Sequence, residues 1–158
     1  MIAVARATSA PQTFACEQWV RADIHRAFAF YSDASNLELI TPGFLGFQIL
    51  TPRPIVMHPG TLIRYRLRLF GVPLEWLTRI EDWQPGRSFT DLQLRGPYAL
   101  WIHEHRFTSR NGGTLVEDRV AYRLPWEPLS APVRLLIVRP TIERIFGYRR
   151  EAIARLLG

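Results

Sequence analysis

Two histidines, His103 and His105 in the stretch ALWIHEHRF, are the residues of this chain whose type and spacing carry the most chemistry. Side chains two apart in an extended strand share a face. Both imidazoles therefore fall on one side with Trp101 and Phe107, and Leu100, Ile102, Glu104 and Arg106 take the other. An imidazole titrates near neutral pH and, when a carboxylate orients it, can give a proton to or take one from a ligand carbonyl or hydroxyl. The same alternation puts Thr114, Val116, Asp118, Val120 and Tyr122 on one face of the next segment, and Phe89, Asp91 and Gln93 on one face of the preceding one. Asp118 and Asp91 are thus the carboxylates available to orient the histidines, and His103, His105 and Asp118 are the candidate catalytic residues. The same groups could instead satisfy one another across neighbouring strands and hold the sheet in register, as buried polar groups must. The sequence leaves both uses open.

The two histidines also have the spacing to present two imidazoles to one side of a metal ion, with Asp91 or Asp118 as a third ligand. Local spacing fixes no third ligand, so the sequence assigns no metal and no cofactor. His25 and His58 stand at a helix start and in a loop without a local partner, and read as solvated. Cys16 is the only cysteine, with no base nearby in sequence. There is no Gly-x-Ser-x-Gly elbow and no Walker or Rossmann glycine pattern, so nucleophilic and nucleotide chemistry have no support.

The elements that must position these residues follow from periodicity and turn chemistry. Residues 14–21 read as a first strand, and Asp23 caps a short helix containing Ala27, Phe28 and Tyr31. A second short helix is expected between the caps at Ser32, Asp33 and Ser35 and the stop at Pro42-Gly43. Six more strands are expected over 47–50, 61–70, 74–83, 88–94, 99–109 and 114–124, separated by turn signals such as Pro59-Gly60, Gly71-Val72-Pro73, Pro85-Gly86 and Asn111-Gly112-Gly113. After Pro125 and Pro128 the period changes to that of a helix, with Ile142, Ile145, Phe146, Ile153 and Leu156 on one stripe and Pro140 expected to kink or divide it.

Seven antiparallel strands and one long apolar helix bury both apolar faces if the sheet curves around the helix, which leaves a concave interior. The fold class is therefore α+β, with residues 1–13 a flexible N-terminus and residues 14–158 one domain. Tyr65, Leu67, Trp76, Ile80, Phe89, Asp91, Gln93, Trp101, His103, His105, Phe107, Asp118, Val120 and Tyr122 from the strands, with Ile142, Ile145 and Phe146 from the helix, are the expected lining of that interior. A mostly apolar pocket with a few converging polar groups is the usual make-up of a small-ligand site.

Composition narrows the partners. The 158 residues are 47% hydrophobic and 22% charged, as in ordinary globular chains. The formal net charge of +6 comes entirely from arginine among the basic residues, spread without a dense run or a recognition motif. Nucleic acid is accordingly not expected as a partner. Arg64, Arg66 and Arg68 alternate with apolar residues and read as a solvated sheet face. The arginines of the last segment, from Arg134 to Arg155, read as a solvated helix back that could touch an anionic membrane surface transiently. No stretch reaches membrane-spanning length, and a cytoplasmic location is expected. The oligomeric state is not legible.

The order of elements, together with SDASNLELITPGFLGFQIL, FTDLQLRGPYALWIHEHRF and GGTLVEDRVAYRLP, resembles the START-like or SRPBCC superfamily over roughly residues 14–157. That superfamily includes polyketide cyclases and dehydratases, coenzyme Q-binding proteins and birch-pollen-allergen-like proteins, and the three stretches are similar to a bacterial subgroup of it. The resemblance implies a helix-grip fold with an internal cavity that binds or carries a hydrophobic small molecule such as a lipid, an isoprenoid or quinone, or a polyketide-like compound. The alternative it implies is a cyclase or dehydratase-type enzyme using the pocket histidines and aspartate as general acid and base. The superfamily holds carriers, enzymes and regulators, so the fold alone does not choose.

Overall fold

The computed structural model describes residues 9–158, so the expected flexible N-terminus lies outside the described residues at positions 1–8. Positions 12 and 13 belong to the first strand, β1 (Gln12–Val20), because Gln12 and Thr13 already pair with Tyr122 and Ala121. Asp23 then caps α1 (Ile24–Tyr31), its carboxylate accepting the backbone N–H groups of His25 at 2.9 Å and Arg26 at 3.0 Å. The helix buries Ala27, Phe28 and Tyr31. The expected second helix is instead two short 3₁₀ turns, Ala34–Glu38 and Gly43–Leu45. Asp33 caps the first of these turns, its carboxylate accepting the backbone N–H of Ser35 at 2.9 Å, and Pro42 precedes the second.

The remaining strands are β2 (Gln48–Ile49), β3 (Leu62–Leu69), β4 (Val72–Gln84), β5 (Ser88–Arg95), β6 (Leu100–Arg110) and β7 (Gly113–Arg123). They form one antiparallel sheet in the order β1-β7-β6-β5-β4-β3-β2, a meander closed at one edge by β1. The β3–β4 turn sits at Phe70-Gly71 rather than at Gly71-Val72-Pro73, since Val72 and Pro73 already pair with Leu69 and Arg68. Both turn residues have positive φ (52° and 79°), as do Asn111 and Gly112 between β6 and β7 (50° and 74°). Two consecutive left-handed residues match the twist of the flanking strands, which makes these the tight hairpin turns.

The C-terminal segment runs Ala131–Val133 (α2), a widened π turn over Arg134–Val138, and Arg139–Leu157 (α3). Pro140 therefore does not divide the helix. It lies at the start of α3 directly after the π turn, whose widened hydrogen-bond pattern accommodates the missing N–H. The sheet curves around α3 in the helix-grip arrangement. No helix among the described residues is long and apolar enough to cross a membrane.

The interior divides in two. At one end Phe28 of α1 meets Trp83, Phe89 and Phe107 edge-on at centroid distances of 5.2, 5.9 and 5.3 Å, and Ile153 and Leu157 of α3 pack into the same cluster. That end is solid. Toward the start of α3 the helix and sheet diverge around a cavity. Ile153 is 1% exposed and seats the end of α3 on the sheet. Ile153→Val removes one buried methyl group, so an expected loss of about 1 kcal/mol and a fall in Tm of about 2–4 °C would be read by urea and thermal unfolding. A change near zero would mean that α3 is loosely seated.

Candidate functional site

The cavity measures about 140 Å³. Tyr65 of β3, Trp76 of β4 and Trp101 of β6 form one wall, with Trp76 stacked on Tyr65 at 5.9 Å and edge-on to Trp101 at 5.4 Å. Ile142, Ile145 and Phe146 of α3 form the opposite wall, and Leu37, Ile40 and Leu45 from the 3₁₀ region close the side.

Register builds the polar floor. His103 stands opposite Asp91 on β5, and His105 opposite Asp118 on β7. The hydrogen bonds run diagonally to that pairing. His103 Nε2 lies 2.8 Å from Asp118 Oδ1 and His105 Nε2 lies 3.1 Å from Asp91 Oδ2. His105 Nδ1 is also 2.8 Å from Asp118 Oδ1, though off the hydrogen-bond direction, and His103 Nδ1 is 4.0 Å from Asp91 Oδ2. The two imidazoles, 3.9 Å apart at their centroids, are therefore held between two carboxylates, with Asp118 beneath and Asp91 at the cavity.

This arrangement separates the two histidines electrically. Burial opposes a charge on either ring, but the carboxylates of Asp118 and Asp91 together outweigh it at His105, which is pushed up to about 9. At His103 burial dominates, reinforced by the charge on His105, and the value falls to about 4. Burial also works against the carboxylates, yet the imidazoles overcome it and hold Asp91 and Asp118 below the usual carboxylate range. At neutral pH the floor thus holds one imidazolium, one neutral imidazole and two carboxylates.

Most of the expected lining residues meet at the cavity: Tyr65, Leu67, Trp76, Asp91, Trp101, His103, His105, Ile142, Ile145 and Phe146 all face it. Seven do not, although six of these point inward. Phe89 and Phe107 belong to the solid end, and Ile80 is sealed beneath Ala34 and Ile63. Val120 and Tyr122 lie under Ile142 and Phe146. Asp118 sits below the histidines rather than in the wall. Gln93 is occupied locally, its amide N–H donating to the Tyr98 carbonyl at 2.8 Å.

Other lining residues had no period-two signal, among them Tyr31, Phe47, Tyr98 and Arg149. Arg149 matters most. It continues the Ile142, Ile145 and Phe146 stripe at helical spacing, and its guanidinium lies 5.0 Å from the centre of the Phe146 ring. Its Nε is buried with no hydrogen-bond partner among the described residues, and the same holds for Trp76 Nε1. Arg64, Arg66 and Arg68 are solvent-exposed, as are His25 and His58, whereas Arg134, read as part of a solvated helix back, is largely buried against Glu127 at 3.0 Å. Cys16 is half-buried, and its thiol is pushed up to about 11, chiefly by burial.

No family model and no curated protein matches this chain. Solved structures do. Protein Ms6760 from Mycobacterium smegmatis superposes with a TM-score of 0.68 at 17% identity, over 91% of this chain and 89% of that one. TTHA0849 from Thermus thermophilus gives 0.66 at 16% identity over 90% and 97%. Major latex-like protein 151 from Panax ginseng gives 0.67 at 11% identity over 95% and 99%. At these identities the likeness defines the fold: a helix-grip domain over nearly the whole described chain.

Proposed function

We propose that this protein binds a compact, largely apolar small molecule carrying at least one oxygen acceptor or acidic group, held between the aromatic wall and α3. One observation carries the reading: among the residues lining the apolar cavity are Trp76 and Arg149, whose Nε1 and Nε are buried donors with no hydrogen-bond partner among the described residues. A buried donor left unpaired costs about 1–3 kcal/mol, and a ligand oxygen is the natural partner for each. Size supports a compact ligand, since an apolar cavity of about 150 Å³ holds one benzene-sized molecule, close to the 140 Å³ present here. A single-ring acid or a short isoprenoid fragment fits that space better than a long acyl chain.

Native mass spectrometry of the purified protein, followed by organic extraction, is expected to give a stoichiometric small molecule. An environment-sensitive apolar dye is expected to bind saturably at one site in ligand-stripped protein. Ile145→Trp, which fills the cavity from the helix side, should weaken dye binding at least tenfold. A protein with neither ligand nor saturable dye binding, or a filled variant that binds as well as wild type, would overturn the reading.

The separated histidines favour a second reading, general acid–base catalysis, because two neighbouring groups of opposite protonation state are the usual equipment for proton transfer. Turnover of a polyketide-like substrate that is lost in His105→Gln while binding persists would establish it, and unchanged turnover would remove His105 from the chemistry.

A further inference from the structure

The floor has one property that ligand binding does not use: its donors converge. One ligand atom each from Asp91, His103 and His105 lies within 4.8 Å of the others. The cavity side offers His103 Nδ1, His105 Nε2 and Asp91 Oδ2, with the oxygen 4.0 Å and 3.1 Å from the two nitrogens. Donors bound to one ion at about 2.1 Å stand about 3.0–3.4 Å apart, so the widest pair of this set has to close by no more than about 1.4 Å, within reach of small side-chain rotations. Of the far nitrogens, His103 Nε2 is hydrogen-bonded to Asp118 Oδ1 at 2.8 Å, and His105 Nδ1 lies at the same distance from that oxygen, off the hydrogen-bond direction. A carboxylate behind a ligating histidine fixes its orientation and tautomer in metal sites, and here one carboxylate stands behind both.

We propose that His103, His105 and Asp91 form a binding site for a first-row divalent transition metal, with Asp118 as the positioning residue and the open coordination positions facing the cavity. Two imidazoles and one carboxylate, with room for an exogenous ligand, are a donor set such ions accept. All three donors line the cavity, so an oxygen of a bound molecule can complete the coordination. His25 and His58 are remote from this set and exposed, and serve as controls. The site stands on the protein donors alone, so it can hold even if the apolar ligand proves wrong.

The test uses chelator-stripped full-length protein, titrated with Zn²⁺ by calorimetry and with Co²⁺ by visible absorption. One Zn²⁺ per chain is expected, with Co²⁺ bands of a low-symmetry four- or five-coordinate site. His103→Gln, His105→Gln and Asp91→Asn should each abolish the Co²⁺ spectrum, with folding checked by near-UV circular dichroism. Asp118→Asn should keep the one-to-one stoichiometry while weakening Zn²⁺ about 10–100-fold. If a variant fails to fold, the wild-type titration with His25→Gln and His58→Gln as controls still decides. No saturable binding to wild type, or binding that is lost with His25 or His58, would overturn the site.

Discussion

Asp118→Asn is expected to lower the unfolding free energy by about 3 kcal/mol near neutral pH, the low end of what breaking a buried charged network costs. Asp118 is 7% exposed and its Oδ1 meets both imidazoles at 2.8 Å. An asparagine of the same shape fills the space but leaves His105 with only Asp91 to hold its proton. Releasing that proton limits the damage and keeps the loss from reaching the 5 kcal/mol upper end. For a chain of this size the loss corresponds to a fall in Tm of about 6–12 °C. Replacing the network instead of breaking it should behave differently. The quadruple variant Asp91→Leu, His103→Leu, His105→Leu, Asp118→Leu exchanges the whole buried network for apolar packing and is expected to be more stable than Asp118→Asn alone. Urea unfolding of both variants checks the order. An Asp118→Asn loss under about 1 kcal/mol would mean that the four groups act as separate hydrogen bonds.

The inward placement of this network was legible because a strand's side chains obey a strict period of two. Asp91, His103, His105 and Asp118 share the interior face by counting alone. Their partners were not legible, since diagonal bonding between Asp118 and His103 depends on how β6 and β7 slide past each other. Parity also cannot separate a cavity wall from packed core. Phe89 and Phe107 point the same way as His105 and His103, and only the wedge of Phe28 from α1 decides which end of the strands is filled. Arg149 was missed for a different reason. An arginine on an amphipathic helix is ordinarily solvated, yet it falls seven residues after Ile142 and three after Phe146, on the stripe that faces the sheet. A charged residue on an otherwise apolar stripe was the available signal. The curved sheet, the Asn111-Gly112 hairpin and the terminal helix needed no such information, because alternation, an Asn-Gly turn and the change to helical period each point to one local structure, whereas the β3–β4 turn was read at Gly71-Val72-Pro73, just past its place at Phe70-Gly71.

The metal-free protein is expected to be most stable near pH 6.5 and to lose stability on both sides through single-proton limbs. Consider rising pH first. The ordinary histidine value is 6.5, and His105 in the folded chain is at about 9. Above pH 6.5 the unfolded chain has released a proton that the folded chain keeps, so this contribution is complete below 6.5 and is lost as pH rises to about 9. For falling pH the sign reverses. His103 in the folded chain is at about 4, so below pH 6.5 the unfolded chain takes up a proton that the folded chain refuses. Stability then declines until about pH 4, where Asp118 and Asp91, both held low, extend the loss. Each limb is about 2.5 pH units long, and at 1.36 kcal/mol per unit its depth is about 3 kcal/mol. Between the limbs the folded pair holds one shared proton. Cys16, pushed up to about 11, adds a loss only above pH 9, its ordinary value. Urea unfolding between pH 4.5 and 9 reads both limbs directly. His105→Gln should flatten the alkaline limb and His103→Gln the acid limb, because each removes the group whose folded and unfolded protonation differ there. A stability that stays level across this range would mean that the two imidazoles titrate in the folded chain as they do in water, and that the carboxylates around them do not hold them apart.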